Sequence, residues 1–434
     1  MKRAASAALD EKSNQYPPML GVPELRAAVA EHAARHSGQR VDASRGEVLV
    51  TSGATEGIAA ALLGLCNRGD RVVVFEPLYD AYAGIALASG VELAPVRLRP
   101  PRWELPPLGD AAQDADADAE AAAAAAAADS NDASSSSSSE LGRAFFPGGG
   151  KPAAKLVIVN TPHNPTGKVF SRRELERVAA FVRRAGGLAL LDEVYEHLVH
   201  PAPPESATAS AAASAGTAGT ETPPHEHVSL ASLPGMAPRC VRLGSAGKTF
   251  SFTGWKVGWA TGPARLLAPV IKAHQFLTFT VPPAMQYGVA HGLEACRAFY
   301  EGLGPELALQ RRAFAPRVAA LGFRVLPAQA TYFLVADAAA FASPEEDDAA
   351  FCRRLAVEGG VALIPVSAFY LPTTTGAAPP PRTLVRFAFC KSAKVLDEAV
   401  ERLERYLGRP GKPGPGAKGD PEVAAEAARE AGGL

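Results

Sequence analysis

Lys248 stands in the stretch GSAGKTFSFTGWKVGW, residues 244–259, with glycine before it and threonine after it. The GKT triplet has the look of a nucleotide-phosphate loop. Such a loop needs a glycine six residues before its lysine, so that bare backbone can wrap the phosphate. That position is Arg242, so Lys248 calls for a different chemistry. Other reactive groups recur at the ends of apolar runs. KLVIVN leads into TPHNPTG and offers Asn164, while GLALLDEVY offers Asp192 and Tyr195. RCVRLGS ends on Ser245, three residues before Lys248, and Lys256 adds a cation nearby. EVLVTSG delivers Gly53, Ala54 and Thr55 to the start of a helix, where free N–H groups favour an anion. One crevice lined by these groups would hold an acid, an amine, a phenol, an amide and a phosphate cradle.

The elements that must position them alternate strand and helix. GEVLVTSG, RVVVFEP, VELAPVRL, KLVIVNTP, GLALLDEVY, RCVRLGS and VGWATGP read as short apolar strands. ATEGIAAALLGLC, LYDAYAGIALASG and SRRELERVAAFVRRAG read as helices, the last with Ser171 and Glu174 spaced as a capping box. Nearly continuous apolar strands between helices predict an α/β fold with a mostly parallel sheet covered on both faces. In such sheets ligands bind beyond the carboxyl ends of the strands, where these polar residues fall. Strand alternation turns Glu193 to the side opposite Asp192.

The rest of the chain bounds the function. A net charge of −1 leaves no basic footprint for nucleic acid or an anionic membrane, and no apolar run is long enough to span a bilayer. The five scattered cysteines and the lack of a secretory h-region point to a reducing compartment, cytoplasmic or organellar (mitochondrion or chloroplast), not secretion. Residues 1–12 read as a short amphipathic helix. Two low-complexity segments, about 109–142 and 201–224, and the tail beyond Gly408 have too little apolar surface to offset the entropy of ordering. They are expected to be disordered surface insertions and a flexible tail, the last dozen residues offering a short helix. His197 and His200 lie three apart, and His225 and His227 flank a low-complexity segment. Without a third ligand neither pair is expected to hold a metal.

The inventory at the strand ends suits pyridoxal 5'-phosphate, which needs a lysine for its Schiff base, a carboxylate beside its ring nitrogen and a cup for its phosphate. NTPHNPTG, LDEVYEHL and GSAGKTFSFTGWKVGW, supported by NQYPPMLG, TSGATEG, EPLYDAY and VRFAFCKS, resemble the fold type I, class I/II aminotransferases. The likeness runs from about Met1 to Tyr406. It leans towards the branch of kynurenine/glutamine aminotransferases, cysteine-conjugate β-lyases and methionine aminotransferases. The resemblance implies a large domain over 38–285 and a small α+β domain over 286–408. Residues 1–37 would form an arm and part of the small domain, and 409–434 a tail. It implies Lys248 as the Schiff-base lysine and Asp192 as the partner of the ring nitrogen. Tyr195 and Asn164 would then meet the ring phenolate, and Tyr79 would stack on the ring. Ala54, Thr55, Ser245 and Lys256, beside Gly53, would hold the phosphate. Arg386 would fork the substrate carboxylate, a geometry lysine cannot supply. Tyr16 would reach the phosphate of a neighbouring subunit, so that a homodimer shares its sites.

The family pattern has a further glycine-containing segment before NQY that closes over the substrate. This sequence does not show it, so cofactor binding is expected to be more robust than turnover. Transfer of an amino group from an L-amino acid to a 2-oxo acid is the implied reaction. The same residues allow β-elimination from cysteine conjugates. An aminocyclopropane-carboxylate-synthase-type lyase and an inactive cofactor-binding protein are the other readings. Phe276, Phe279 and Tyr82 suggest an apolar or aromatic side-chain pocket. The absence of arginine from HQFLTFTVPPAMQ disfavours aspartate against methionine, glutamine, kynurenine or phenylalanine.

Overall fold

The computed structural model describes residues 1–12, 14–107, 139–201, 226–343, 345–372, 379–409 and 412–413. Most of both low-complexity segments and of the C-terminal tail, with its expected short helix, lies outside the described residues. The boundary at 142 is corrected. Ser139 accepts a hydrogen bond from the Gly142 N–H and caps a helix, Glu140–Phe145, whose Leu141, Ala144 and Phe145 are buried. Those three apolar positions share one helical face, a pattern hidden in sequence by the adjoining serine run.

The expected strands form β1 (Val48–Thr51), β2 (Arg71–Glu76), β3 (Glu92–Arg97), β4 (Leu156–Asn160), β5 (Leu188–Asp192), β6 (Cys240–Ser245) and β7 (Gly258–Thr261). Among the described residues they make a seven-stranded sheet of order β1-β7-β6-β5-β4-β2-β3. The pairs β2–β3, β2–β4, β4–β5 and β5–β6 are parallel, while β7 runs antiparallel to β1 and β6. The departure at β7 has a local cause. The chain between β6 and β7 is spent on a short helix, Ala246–Thr249, and turns around Lys248, with no crossover helix to carry it back across the sheet.

Alternation along each strand explains the apolar runs. Val72 and Val74 of β2 pack with Ile58, Leu62 and Leu267 on one face. Val73 and Phe75 pack with Phe145, Leu175 and Val178 on the other. Both faces are dry, so neither needs polar positions. The helix Arg172–Arg184 carries the expected capping box, with Ser171 and Glu174 bonded reciprocally. The N-terminal reading also holds: Lys2–Glu11 is a helix that buries Ala5 and Ala8.

A second sheet, β10-β11-β9-β8, is antiparallel throughout and comprises β8 (Arg324–Val325), β9 (Phe333–Asp337), β10 (Ile364–Pro365) and β11 (Leu384–Ala388). Phe351 and Leu355 of the helix Asp348–Gly359, with Leu396, Val400 and Leu403 of Ala393–Leu407, bury Leu334, Ala336, Val385 and Phe387. Among the described residues no helix is long and apolar enough to cross a membrane.

Candidate active site

The ends of β4 and β5 are in register, Asn160 beside Asp192, and Asp192 lies beside Leu243 of β6. These ends open on a pocket of about 340 Å³. Asp192 is buried in its floor. Tyr82, from the helix Ala81–Ser89, donates its phenol proton to Oδ2, and Oδ1 is buried without a hydrogen-bond partner. Burial pushes the carboxyl up from 3.8 to about 6, against the opposing pull of the Tyr82 bond. The Val194 N–H also acts on this carboxyl, and Oδ1 is left open to a further donor that enters the pocket. Glu193 turns away as expected and pairs with Arg242 in the core.

Lys248 rises from the short helix after β6. Its Nζ donates to the Tyr332 hydroxyl at 2.7 Å and lies 5.5 Å from the ring centroids of Tyr195 and Tyr332. Tyr195 is buried, and burial, reinforced by the neighbouring Tyr332 phenol, holds its pKa well above 10. At neutral pH it therefore remains an O–H donor. Asn164 is fixed through its backbone: its N–H donates to Asn160 Oδ1 at 2.8 Å, and Asn160 Nδ2 donates to the Asp192 carbonyl at 2.9 Å.

Arg386 enters from β11. Its Nη1 donates to Asn164 Oδ1 at 2.6 Å, and its guanidinium lies 4.2 and 4.6 Å from the ring centroids of Phe333 and Phe369. Its Nε is buried without a partner. Two aromatic walls thus hold a planar cation with donor capacity to spare, and burial lowers its pKa.

The opposite wall is the first turn of the helix Gly53–Leu65. Ser52 makes no side-chain cap there, so the turn's N–H groups are not consumed by a capping oxygen. Gly53 has φ of 72°, and Lys256 is itself left-handed at 52°. The Lys256 Nζ would lie 3.5 Å from a Cβ at Gly53. At Gly258 a Cβ would stand 2.7 Å from the Gly53 carbonyl carbon and 2.9 Å from the Ala54 nitrogen. Only glycine at 258 lets β7 lie against this turn. Ala54, Thr55 and Ser245 line the same corner, and Thr55 Oγ1 is 3.5 Å from the Tyr79 hydroxyl.

Every single-chain site residue named from the sequence therefore lines one pocket. Tyr16 does not: it is 81% exposed and packs edge-on against Phe279 with centroids 5.4 Å apart. The expected aromatic side-chain pocket is corrected. Tyr82 lies buried behind Asp192, while Phe276 and Phe279 are exposed and do not line this pocket. Sequence reasoning missed Tyr332 and Asn160. Tyr332 precedes β9 of the small sheet and carries no motif that marks it in the sequence. Asn160 was legible as the last residue of KLVIVN.

The pocket thus sets Lys248, Asp192 and the helix turn at Gly53, all from the large sheet and its flanking elements, opposite Arg386 from the small one. The sequence pattern of aminotransferase class I and II matches residues 1–403, and the chain belongs to that family. It is 36% identical over 413 residues to the probable N-succinyldiaminopimelate aminotransferase DapC of Mycobacterium tuberculosis (strain ATCC 25618 / H37Rv), covering 94% of this chain and 89% of that one. The solved structure of N-succinyldiaminopimelate aminotransferase from Mycobacterium tuberculosis superposes with a TM-score of 0.74, covering 93% of this chain and 88% of that one. Methionine aminotransferase of Escherichia coli (strain K12) is 33% identical over 397 residues, 91% of this chain and 84% of that one. Kynurenine–oxoglutarate transaminase 1 of Mus musculus is 31% identical over 419 residues, 92% and 85%. The protein is an aminotransferase, and its family is typically pyridoxal-phosphate-dependent.

Proposed function

We propose that the protein binds pyridoxal 5'-phosphate in this pocket and moves an amino group from an L-amino acid to a 2-oxo acid, with Lys248 as its covalent and proton-transferring group. The observation that carries the reading is the orphaned Oδ1 of Asp192, buried in the same pocket as the Lys248 amine. A protonated ring nitrogen is the donor that oxygen lacks. The group fits at its other end too, where Gly53, Ala54, Thr55, Ser245 and Lys256 make a compact anion cradle.

When bound, pyridoxal phosphate supplies a carbonyl that condenses with amines and a ring that takes up the electrons left when a carbon loses its proton. The chain's residues do the rest. The Lys248 amine takes the proton from the substrate α-carbon and returns it elsewhere, a general base and then a general acid. Tyr332 holds that amine in place between turns. Asp192 keeps a positive charge on the ring nitrogen by a charge-assisted hydrogen bond. Tyr195 and Asn164 would donate to the ring oxygen, Tyr79 would pack on the ring, and Arg386 would grip the α-carboxylate in its planar fork. Asn164 also touches Arg386, so the carboxylate and ring contacts are set by one loop.

The amino donors best supported are methionine, glutamine, kynurenine and apolar or aromatic amino acids. The methionine and kynurenine relatives support that range, while the first relative points to a longer N-acylated dicarboxylic substrate. A panel of donors against one oxo acid, with and without added pyridoxal phosphate, tests both parts. Lys248→Ala should abolish transfer and remove the absorbance of the lysine-bound cofactor. Wild-type turnover in that variant would overturn the assignment.

A further inference from the structure

Two histidines of one N-terminal helix meet a third from far along the chain. His32 and His36 lie one turn apart on the helix Pro23–His36, and His197 lies in the turn Glu196–Leu198. The sequence had paired His197 with His200, but His200 Nε2 is engaged with the Thr331 carbonyl at 2.8 Å. The three rings instead form a near-equilateral triangle, with centroids 4.7, 4.8 and 5.1 Å apart. One ring nitrogen from each lies within 4.8 Å of the other two, and His32 Nε2 faces His197 Nε2 at 2.8 Å. His36 Nε2 is buried with no hydrogen-bond partner.

Carboxylates border the triad. Glu196 Oε1 is 3.9 Å from His32 Nε2 and 3.8 Å from His197 Nε2. Glu196 and Glu193 share the buried guanidinium of Arg242, and on the open side Glu301, which pairs with Arg297, lies beside His36. Zinc–nitrogen bonds of about 2.0–2.1 Å in a tetrahedron place ligand nitrogens about 3.3 Å apart. The observed nitrogen separations, from 2.8 Å for His32 and His197 to at most 4.8 Å, bracket that spacing. His36, with 17% of its side chain exposed, and Glu301 beside it at 3.9 Å form the entry.

We propose that His32, His36 and His197 form a binding site for a divalent cation of the zinc class, with the fourth, solvent-facing position at His36 filled by water or Glu301. Such a cation pins the first long helix to the segment that carries Tyr195. It is separate from the amino-transfer chemistry, and its test does not depend on that reading.

The test is a Co²⁺ titration of the chelator-treated holoenzyme, followed by its visible absorption. One ion per chain with the intense band of tetrahedral cobalt, displaced by Zn²⁺, is the expected result. His36→Gln and His197→Gln should each weaken binding by at least about 100-fold. His291→Gln, exposed on the helix Pro283–Ala295, should change nothing. In the unmutated protein, Zn²⁺ should protect His36 and His197 from carbethoxylation, read by mass spectrometry, so the test does not rest on the variants folding. Absence of the tetrahedral band, a titration indifferent to both substitutions, or unprotected histidines would overturn the proposal and leave a triad held only by imidazole hydrogen bonds.

Discussion

Asp192 combines a chemical role with a cost. Its folded pKa is raised to about 6, so below about pH 4 it is protonated whether the chain is folded or not, and burial is harmless. As pH rises through about 6 the folded chain must carry a buried charge, and stability is lost. The shift corresponds to something on the order of 3 kcal/mol. Urea unfolding of the cofactor-free protein and of Asp192→Asn, compared between about pH 4 and pH 7, should show wild type losing ground by that amount relative to the variant. Added pyridoxal phosphate should abolish most of the loss. A difference that stays flat with pH would mean the carboxylate is not desolvated as the structure has it. In turnover the sign reverses: Asp192→Asn should lose several powers of ten in kcat, because the charge acts on the transition state. Tyr332 is the second residue to test. Its hydroxyl accepts from Lys248 Nζ at 2.7 Å, and a hydrogen bond is worth about 0.5–1.5 kcal/mol. Tyr332→Phe should lower kcat about 2- to 10-fold with KM little changed. A shift in KM alone would place Tyr332 on the substrate instead.

The cradle is a contact between elements, the edge of β7 laid against the first turn of the helix Gly53–Leu65. Gly258→Ala would put a Cβ 2.7 Å from the Gly53 carbonyl carbon, and backbone cannot yield as a side-chain tip can. Overpacking of that kind costs about 1–3 kcal/mol, so pyridoxal phosphate affinity should fall at least about tenfold. Equilibrium dialysis measures it, and unchanged affinity would show that the cradle lies elsewhere. The elements around this contact were legible because β1, β2 and β4 to β7 are covered on both faces and carry a strong apolar signal. Lys248, Asp192, Asn164 and Ser245 were legible because each follows such a strand. What escaped depends on tertiary approach. Tyr82 reads as an ordinary core aromatic of its helix until Asp192 lies beside it, and Tyr332 belongs to the other sheet. The reversed direction of β7 was invisible because an apolar strand reads the same either way. Leu141 and Phe145 were obscured by the composition of the run before them.

At the scale of the molecule, Tyr16 is the predicted site residue that its own chain leaves outside the pocket. It lies 81% exposed beside Phe279, near exposed Phe276 and Leu277 at the end of the helix Ala264–Leu277. Aromatic and aliphatic surface gathered in that way calls for a covering partner. A second copy that brought Tyr16 to the neighbouring cradle would meet the need and complete the proposed phosphate site. Mixing Tyr16→Phe chains with Lys248→Ala chains tests it. A heterodimer then has one site with both defects and one with neither. The intact site joins Lys248 of the Tyr16→Phe chain to Tyr16 of the Lys248→Ala chain. Lys248→Ala homodimers should be inactive, which removes their background. Tyr16→Phe homodimers lose one hydrogen bond to an anion, so their cofactor affinity should fall about tenfold or more. If the tyrosine acts across the interface, the active site of the heterodimer should bind pyridoxal phosphate with wild-type affinity. Affinity equal to that of the Tyr16→Phe homodimer would return Tyr16 to its own subunit, or to no site at all. A protein that sediments as a monomer while retaining full activity would exclude the shared site directly.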